Sequence, residues 1–472
     1  MRILLVTGRL AEKIVRENAG DASVHVCDVD VAAFITPKHL EGLNLHDFDL
    51  VLVPGLTKDC DWEGLERKKG VKIRLGPLHA SDIKRVLRFA GKIEFSHKIP
   101  ACRLIETIKA EEVFREVEKL ESTAKFRIRD VAIGGESRMK IVAEIVNPKL
   151  EELRERIEYF SENADIVDIG VPLEFDANEL RKILKIAVEE SKRPVSVDTF
   201  SVKAIEIAVK QGVDMVMSVS SSNLEALDLI EDQAVVVAER DLEKLLRIIE
   251  MAKKRSEKVI ADPILDPPLS VAGSIERYVA FRKLDKETPL LFGAGNVTEL
   301  SDADSIGINA LLAFIAEEIG CNLLFTTEAS PKTRGSVREL RIASYISKIA
   351  KLRSSPPKDV GLSLLALKEK VRYESAKAES ALVARESKEF HRDPMGDFII
   401  FIADGKIFCK HEKVTVSGKN AKEIIDTILD LGLVSRLDHA AYLGRELMKA
   451  EIALKLGKNY IQDRDLSFGF LA

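Results

Sequence analysis

Acidic and amide side chains stand at the ends of short apolar runs in the middle of the chain. Asp168 stands with Gly170 near the end of "ADIVDIG", Asp198 closes "PVSVD", and Asp262 lies in "KVIADPI". Two amides, Asn147 and Asn296, follow other runs of this kind. Three carboxylates at one place repel one another and raise at least one pKa, unless a cation or a donor-rich ligand neutralises them. For each aspartate taken alone, capping of the following helix is an equally simple interpretation.

The spacing of these runs indicates how the chain positions the side chains. Eight apolar runs recur between residues 139 and 327, and helical or crossover-length connections separate them. This alternation predicts an α/β fold with a central (β/α)8 TIM barrel. A doubly wound open sheet is the alternative, and it is disfavoured because eight evenly spaced repeats close naturally. Functional groups of such a barrel project from the carboxyl ends of its strands, so the five side chains are expected at one mouth.

Further polar residues follow the fourth and eighth runs. Ser218 ends the fourth run and Glu328 the eighth, and the segment "SPKTRGS" after the eighth run carries Lys332 and Arg334. A helix that begins near Ser336 adds a positive dipole end, so this segment is a candidate site for an anion or a second substrate. A solvated basic loop is the alternative interpretation.

The mixture of acid and amide groups indicates the type of ligand. Carboxylates alone would suit Mg²⁺. Carboxylates with amides better suit a flat heterocycle that has several N–H donors and a ring acceptor. A pterin is such a molecule, and we predict no metal.

Three stretches, "NADIVDIGVP", "RPVSVDTF" and "VIADPIL", carry a resemblance. In this order they resemble the pterin-binding barrel family, which comprises dihydropteroate synthases and methyltetrahydropterin methyltransferases. The resemblance implies that Asp198 and Asp262 hydrogen-bond the pterin ring, with Asp262 at its 2-amino group. Asp168 stands at the family's "D-I-G" position and Asn147 at the asparagine after the first strand. The chain as a whole resembles the archaeal dihydropteroate synthase-related group, which implies a pterin of the tetrahydromethanopterin or tetrahydrofolate type.

The chain departs from dihydropteroate synthases at three places, one of which is the fourth strand, where "VMSVS" replaces the usual "IND" and puts Met217 at the asparagine position. The first strand is followed by "NPKLEE" instead of a "TPDSF" loop, and "FGAGNVTEL" stands where those enzymes carry a lysine. The "FGAGNVTEL" segment resembles the methyltransferase branch, in which an asparagine contacts N5 of the pterin, and Asn296 takes that position. The resemblance thus makes Asn296 and Asp198 the catalytic candidates. It leaves arylamine condensation and methyl transfer open, the latter with a corrinoid or another methyl-acceptor protein as partner.

The barrel is flanked by two further predicted domains. We predict a small N-terminal α/β domain over residues 1–125, the barrel over 126–355, and a C-terminal α+β accessory domain over 356–472. In the last domain His439, Tyr442 and Glu446 follow helical spacing and share one face, which makes them a possible accessory site. Ordinary packing of that helix is the favoured alternative.

Composition limits the class of protein. The 472 residues are 32% charged with a formal net charge of -5, which argues against a nucleic-acid partner. Apolar runs are too short for a membrane span and the five cysteines are scattered, so we expect a cytoplasmic protein. Scarce glutamine among many charged residues is typical of thermophiles.

A homodimer is a candidate assembly. The functional alternative to a pterin-dependent transferase in one-carbon metabolism is a non-catalytic pterin-binding or carrier-docking protein.

Overall fold

The computed structural model describes residues 1–370, 372–373, 381–385, 389 and 391–469. The chain divides into two compact units, Met1–Glu374 and Ser375–Ala472. Among the described residues, no helix has both the length and the apolar character needed to cross a membrane.

The chain begins with a four-stranded parallel sheet in the order β2-β1-β3-β4. Buried aliphatic side chains fill both of its faces, and Trp62 is fully buried against one of them. Asp61 caps the helix that starts at Trp62 by accepting a hydrogen bond from the Gly64 amide at 2.8 Å. The elements are β1 (Ile3–Thr7), α1 (Glu12–Asn18), β2 (Ser23–Val26), β3 (Leu50–Val53), α2 (Trp62–Lys69), β4 (Lys72–Leu75) and α3 (Ile83–Leu87).

A long helix and a short hairpin connect this sheet to the barrel. Helix α4 spans Ala101–Glu118, and the hairpin consists of β5 (Phe126–Ile128) and β6 (Val131–Ile133). The buried side chains of the hairpin pack with the inward-facing residues of the barrel, including Val142 and Leu323. The hairpin therefore closes the amino-terminal end of the barrel, and a ligand can enter only from the opposite end.

Eight parallel strands form the predicted barrel. The hydrogen-bonded order is β12-β11-β10-β9-β8-β7-β14-β13, and a bridge between Ala261 and Leu290 joins the two outer strands. The sequence prediction of a (β/α)8 barrel is therefore confirmed. The strands are β7 (Lys140–Ile145), β8 (Ile166–Gly170), β9 (Val195–Asp198), β10 (Met215–Val219), β11 (Ala234–Ala238), β12 (Val259–Asp262), β13 (Leu291–Phe292) and β14 (Leu323–Thr327).

Helices cover the outside of these strands. A 3-10 segment at Leu224–Leu229 replaces the helix after β10. Alternate residues of each strand face these helices and are buried with them in one large apolar cluster. The helices are α5 (Leu150–Asn163), α6 (Ala177–Glu190), α7 (Val202–Gln211), α8 (Leu242–Ala252), α9 (Val271–Leu284), α10 (Gly295–Thr298), α11 (Ser305–Ile319) and α12 (Ser336–Leu352).

Buried charges at the closed end of the barrel are paired. Arg138 donates to both carboxylate oxygens of Asp165, at 2.6 and 2.9 Å, and Asp165 also accepts from the Ile141 amide at 2.8 Å. The Arg138 guanidinium holds the pKa of Asp165 below its usual range although burial opposes this. Lys140, the first inward-facing residue of β7, forms an ion pair with Glu121.

The second unit is a three-stranded antiparallel sheet with two helices against it. Asp404 and Gly405 both have positive φ, which gives the tight turn that the "ADGK" sequence predicts for the first hairpin. Apolar residues of the sheet and of both helices form one core. The elements are β15 (Phe398–Ala403), β16 (Lys406–His411), β17 (Thr415–Gly418), α13 (Ala421–Asp430) and α14 (Leu437–Leu456).

Candidate functional site at the mouth of the barrel

The strand register places carboxylates side by side inside the barrel mouth. Glu144 of β7 is opposite Asp168 of β8, and Asp168 is opposite Ser196 of β9. One level nearer the carboxyl ends, Gly170 is opposite Asp198. Carboxylate oxygens of Glu144, Asp168 and Asp198 all lie within 4.8 Å of one another. The mouth is therefore lined by a cluster of three acids, which we call the acidic triad.

Asp168 is the deepest member of the acidic triad and has no exposed surface. Its Oδ1 accepts a hydrogen bond from the Ser196 hydroxyl, whereas its Oδ2 has no partner among the described residues. A buried carboxylate oxygen without a donor is costly. Asp168 is consequently a group that a ligand, a cation or a proton would stabilise.

Asp198 does not cap the helix that follows it. Ser201 takes that role, since its hydroxyl accepts from the Ala204 amide at 3.4 Å, and the Thr199 hydroxyl accepts from the Ser201 amide at 3.1 Å. No described donor reaches the half-buried carboxylate of Asp198. Its two oxygens remain available in the mouth of the barrel.

Asp262, at the end of β12, is held by one of its oxygens only. Its Oδ1 lies 2.8 Å from the Tyr278 hydroxyl and accepts from the Ile264 amide at 2.7 Å. Its Oδ2 has no donor among the described residues. The carboxylate is thus fixed in orientation with one oxygen free, which is the arrangement expected of a ligand-binding group.

Glu144 also belongs to this site, although the sequence analysis did not select it. Its carboxylate lies against the Cα of Gly170, and a side chain at that position would overlap Glu144 Oε1. The prediction selected the last residue of each run and so chose Asn147. Side chains of a strand alternate between its two faces, however, so Glu144 faces the barrel interior as Val142 does. An acidic residue within an apolar run was the sequence feature that could have identified Glu144.

Burial and mutual repulsion raise the pKa values at the mouth. Burial, together with Asp198 and Glu299, raises the pKa of Glu144 to about 8. Burial and the charge of Asp262 raise the pKa of Asp198 to about 7. Burial also raises the pKa of Asp262 to about 6, although its hydrogen bonds to Tyr278 and Ile264 oppose the shift. Among the described residues, no lysine, arginine or histidine forms an ion pair with the acidic triad, and the hydrogen bond from Ser196 is the opposing influence on the pKa of Asp168.

The two predicted amides lie in different surroundings. Asn296 is exposed on α10, and its Nδ2 donates to the Leu265 carbonyl at 2.7 Å. This bond fastens Asn296 to the loop that follows Asp262 and leaves its Oδ1 without a described donor. Asn147 is exposed, has a φ of 45°, and lines a cleft of about 330 Å³ between the ends of β7 and β8 and helix α6.

The residues predicted for an anion or second substrate make separate contacts. Glu328 accepts from the Val337 amide at 3.1 Å and from the Tyr159 hydroxyl at 3.2 Å, so it joins α12 to α5. Lys332 pairs with the exposed Asp302 at 2.9 Å. Arg334 is exposed. Ser218 is buried on β10. Glu328 and Arg334 both lie near enough to Tyr159 to affect the pKa of its hydroxyl, whereas none of the described contacts links them to Ser218 or Lys332.

The predicted accessory residues of α14 form contacts within their own unit. His439 Nδ1 lies 3.1 Å from the buried carboxylate of Asp393, and the Tyr442 hydroxyl donates to Asp463 at 2.8 Å. Glu446 has no exposed surface and accepts from the Tyr460 hydroxyl and the Asp463 amide. Tyr442 and Glu446 thus fasten the segment after α14 to the helix, and His439 contacts the segment before β15.

A relative in another organism identifies the family. The chain is 39% identical to the protein MJ0107 of Methanocaldococcus jannaschii, and the alignment covers 99% of each chain. The chain belongs to the same family as MJ0107. This relative is archaeal, as expected from the sequence. The family model PterinBD-DUF4346 matches residues 392–463, which lie in the second unit, and its description agrees with the predicted pterin-binding group of proteins.

Solved dihydropteroate synthases are also similar to part of the chain. The enzyme of Thermus thermophilus is 21% identical with a TM-score of 0.38, over 46% of this chain and 95% of that one. The enzyme of Xanthomonas albilineans, solved with 7,8-dihydropteroate, is 17% identical with a TM-score of 0.36, over 47% of this chain and 96% of that one.

Proposed function

We propose that this MJ0107-family protein is a pterin-dependent transferase that binds a reduced pterin at the mouth of its barrel. The observation that supports this most directly is the set of free carboxylate oxygens on Asp198 and Asp262. A pterin presents a 2-amino group and ring N–H groups, which are donors for such acceptors. Asp262, held by Tyr278 and Ile264, would orient the ring, and Asp198 would accept from its other donors.

Among the transferase reactions, the mouth favours methyl or one-carbon transfer from N5. Condensation with an arylamine expels pyrophosphate, which requires positive groups around the leaving group. The acidic triad supplies no positive charge, and the candidate cation Lys332 is paired with the exposed Asp302. A mouth lined by acidic side chains therefore argues against pyrophosphate as a leaving group.

In this proposal Asn296 would assist the chemistry at N5. In methyl transfer the N5–CH₃ bond breaks, the methyl group goes to a nucleophilic acceptor, and N5 keeps the electron pair as an amine. Protonation of N5 makes it the better leaving group. Because Nδ2 of Asn296 is already bonded to Leu265, its Oδ1 is the atom left to accept a hydrogen bond from a protonated N5.

A second candidate is a pterin-binding protein that docks a carrier without turnover. Three large apolar side chains, Leu173, Phe200 and Leu269, are exposed in loops after β8, β9 and β12 at the same rim. Exposed apolar groups around a site are typical of a surface that receives another protein. The partner would approach from this side, whether it is the methyl acceptor of the transferase or the carrier of the docking protein.

Turnover assays separate these candidates. The protein is incubated with a methyl-tetrahydropterin and reduced cobalamin, and in parallel with dihydropterin pyrophosphate and an arylamine. We expect demethylated pterin in the first reaction and no product in the second. Product in the second reaction alone would overturn methyl transfer. Stoichiometric pterin binding without either product would support the docking protein, and the absence of pterin binding would refute the site.

A further inference from the structure

The acidic triad raises a separate question, because no basic residue in the described part of the chain is paired with it. Glu144, Asp168 and Asp198 have no ion pair with any described basic residue, and Asp168 is fully buried. The paired charges at the closed end of the same barrel, Arg138 with Asp165, show how this fold normally stabilises a buried acid. The triad therefore needs a positive charge from outside the chain.

We propose that Glu144, Asp168 and Asp198 bind one divalent cation with oxygen-preferring chemistry, such as Mg²⁺ or Mn²⁺. Two independent observations support this site. One oxygen of each carboxylate lies within 4.8 Å of the others. In addition, Asp168 Oδ2 is a buried oxygen that lacks any described donor while its Oδ1 is oriented by Ser196.

The size of the triad agrees with a single ion. Oxygens around Mg²⁺ lie at about 2.0–2.1 Å, and around Ca²⁺ at about 2.3–2.6 Å, so two opposite ligands are separated by roughly 4–5 Å. The bound of 4.8 Å between the triad oxygens lies in this range, and rotation of the carboxylate side chains would bring them to the shorter separation that Mg²⁺ requires without movement of the strands. Ser196 has the role of a supporting group, because it fixes the carboxylate of Asp168 as outer hydrogen bonds commonly do for metal ligands.

Gly170 supports the same arrangement. Its missing side chain leaves room for the Glu144 carboxylate, which a Cβ would displace. The register places Gly170 beside Asp198, so the glycine lets Glu144 reach the level of Asp198. Without this space the three acids could not converge on one point.

A cation in this position is compatible with the proposed function. Three carboxylates and one divalent ion leave a net charge of about -1, so the cation offsets most of the repulsion among the acids. Asp262 is outside the triad, and Asp198 has a second oxygen that can still face a pterin. The cation site goes beyond the proposed function, and its presence is independent of which transfer takes place.

The test is a titration with the metal alone. Protein treated with a chelator is titrated with Mn²⁺ in the absence of pterin, with free Mn²⁺ measured by electron paramagnetic resonance and the heat by calorimetry. We expect one saturable Mn²⁺ per chain and a rise of the melting temperature with Mn²⁺ concentration. Glu144→Gln should weaken Mn²⁺ binding at least tenfold, and Asp168→Asn should do the same.

Matched variants control for fold and charge. Asp176→Asn and Asp241→Asn each change an exposed acid that caps a helix at the same end of the barrel, α6 and α8 respectively. Asparagine caps a helix equally well, so both variants should keep the wild-type Mn²⁺ affinity. Wild-type protein without saturable Mn²⁺ binding overturns the proposal, as does equal binding by wild type and Glu144→Gln. If Glu144→Gln does not fold, the wild-type stoichiometry and Asp168→Asn decide. A protonated-carboxyl infrared band that persists in saturating Mn²⁺ also overturns the proposal, since the triad would then hold protons.

Discussion

Replacement of Asp262 by asparagine tests the ligand-binding role of the mouth most directly. Oδ1 of Asp262 is occupied by the Tyr278 hydroxyl and the Ile264 amide, which leaves Oδ2 for a ligand. In Asp262→Asn the amide oxygen must take the place of Oδ1, because the opposite orientation would set the new NH₂ group against the Ile264 N–H. The NH₂ group therefore faces the ligand and turns an acceptor into a donor.

The size of the effect follows from that geometry. The variant loses one hydrogen bond to a charged acceptor, which contributes about 1.5–3 kcal/mol. Since about 1.4 kcal/mol corresponds to a factor of ten, the affinity for a reduced pterin should fall roughly 10- to 150-fold. The fold should be kept, because the bonds from Tyr278 and Ile264 survive with the amide oxygen as acceptor.

The assay is calorimetric titration of wild type and variant with a reduced pterin. Asp176→Asn is the matched control, because Asp176 caps α6 at the same end of the barrel and asparagine caps a helix equally well. We expect the control to bind as the wild type does. If Asp262→Asn also binds with unchanged affinity while its melting curve matches that of the wild type, the assignment of Asp262 to the pterin is refuted.

Three further predictions follow from the same contacts. Because burial raises the pKa of Asp262 to about 6, pterin affinity measured by calorimetry should strengthen as the pH rises from 5 to 7; an affinity independent of pH contradicts this. Arg138→Met leaves Asp165 buried and unpaired and should lower the free energy of unfolding by about 3–5 kcal/mol at neutral pH. Because the pKa of Asp165 would then be raised by burial, denaturant titrations should show this deficit shrinking as the pH falls, and a constant deficit contradicts the pairing. Gly170→Ala should displace Glu144, lower stability by about 1–3 kcal/mol and weaken Mn²⁺ binding, whereas unchanged melting and binding would refute the close contact.

The repeat of apolar runs was sufficient to predict the barrel and the strand ends that carry Asp168, Asp198 and Asp262. Their positions depend only on where each run stops, which local sequence determines. The hairpin β5–β6 was not predicted, because strands of three residues carry too little periodicity to separate them from a loop. Its role as the closed end of the barrel depends on contacts between residues far apart in the chain.

The register accounts for the residue that sequence reasoning missed. Asn147 follows the first run, but the residue of β7 that reaches the other acids is Glu144. Which residues of neighbouring strands are opposite one another is determined by the stagger of the closed barrel, and no single run contains that information. Conversely, Glu328 carries the expected charge at a strand end, yet its hydrogen bonds to Val337 and Tyr159 direct it between helices.

The contrast between the two ends of the barrel interior supports a functional role for the mouth. Lys140 and Glu144 lie four residues apart on β7, and both are ionisable residues whose side chains face inward. At the closed end Lys140 is paired with Glu121, so its burial is offset inside the protein. At the open end Glu144 lies beside Asp168 and Asp198 without a partner, an arrangement that lowers stability in the empty protein. Such a local conflict, in a barrel that pairs the buried charges at its closed end, is expected where a ligand completes the structure.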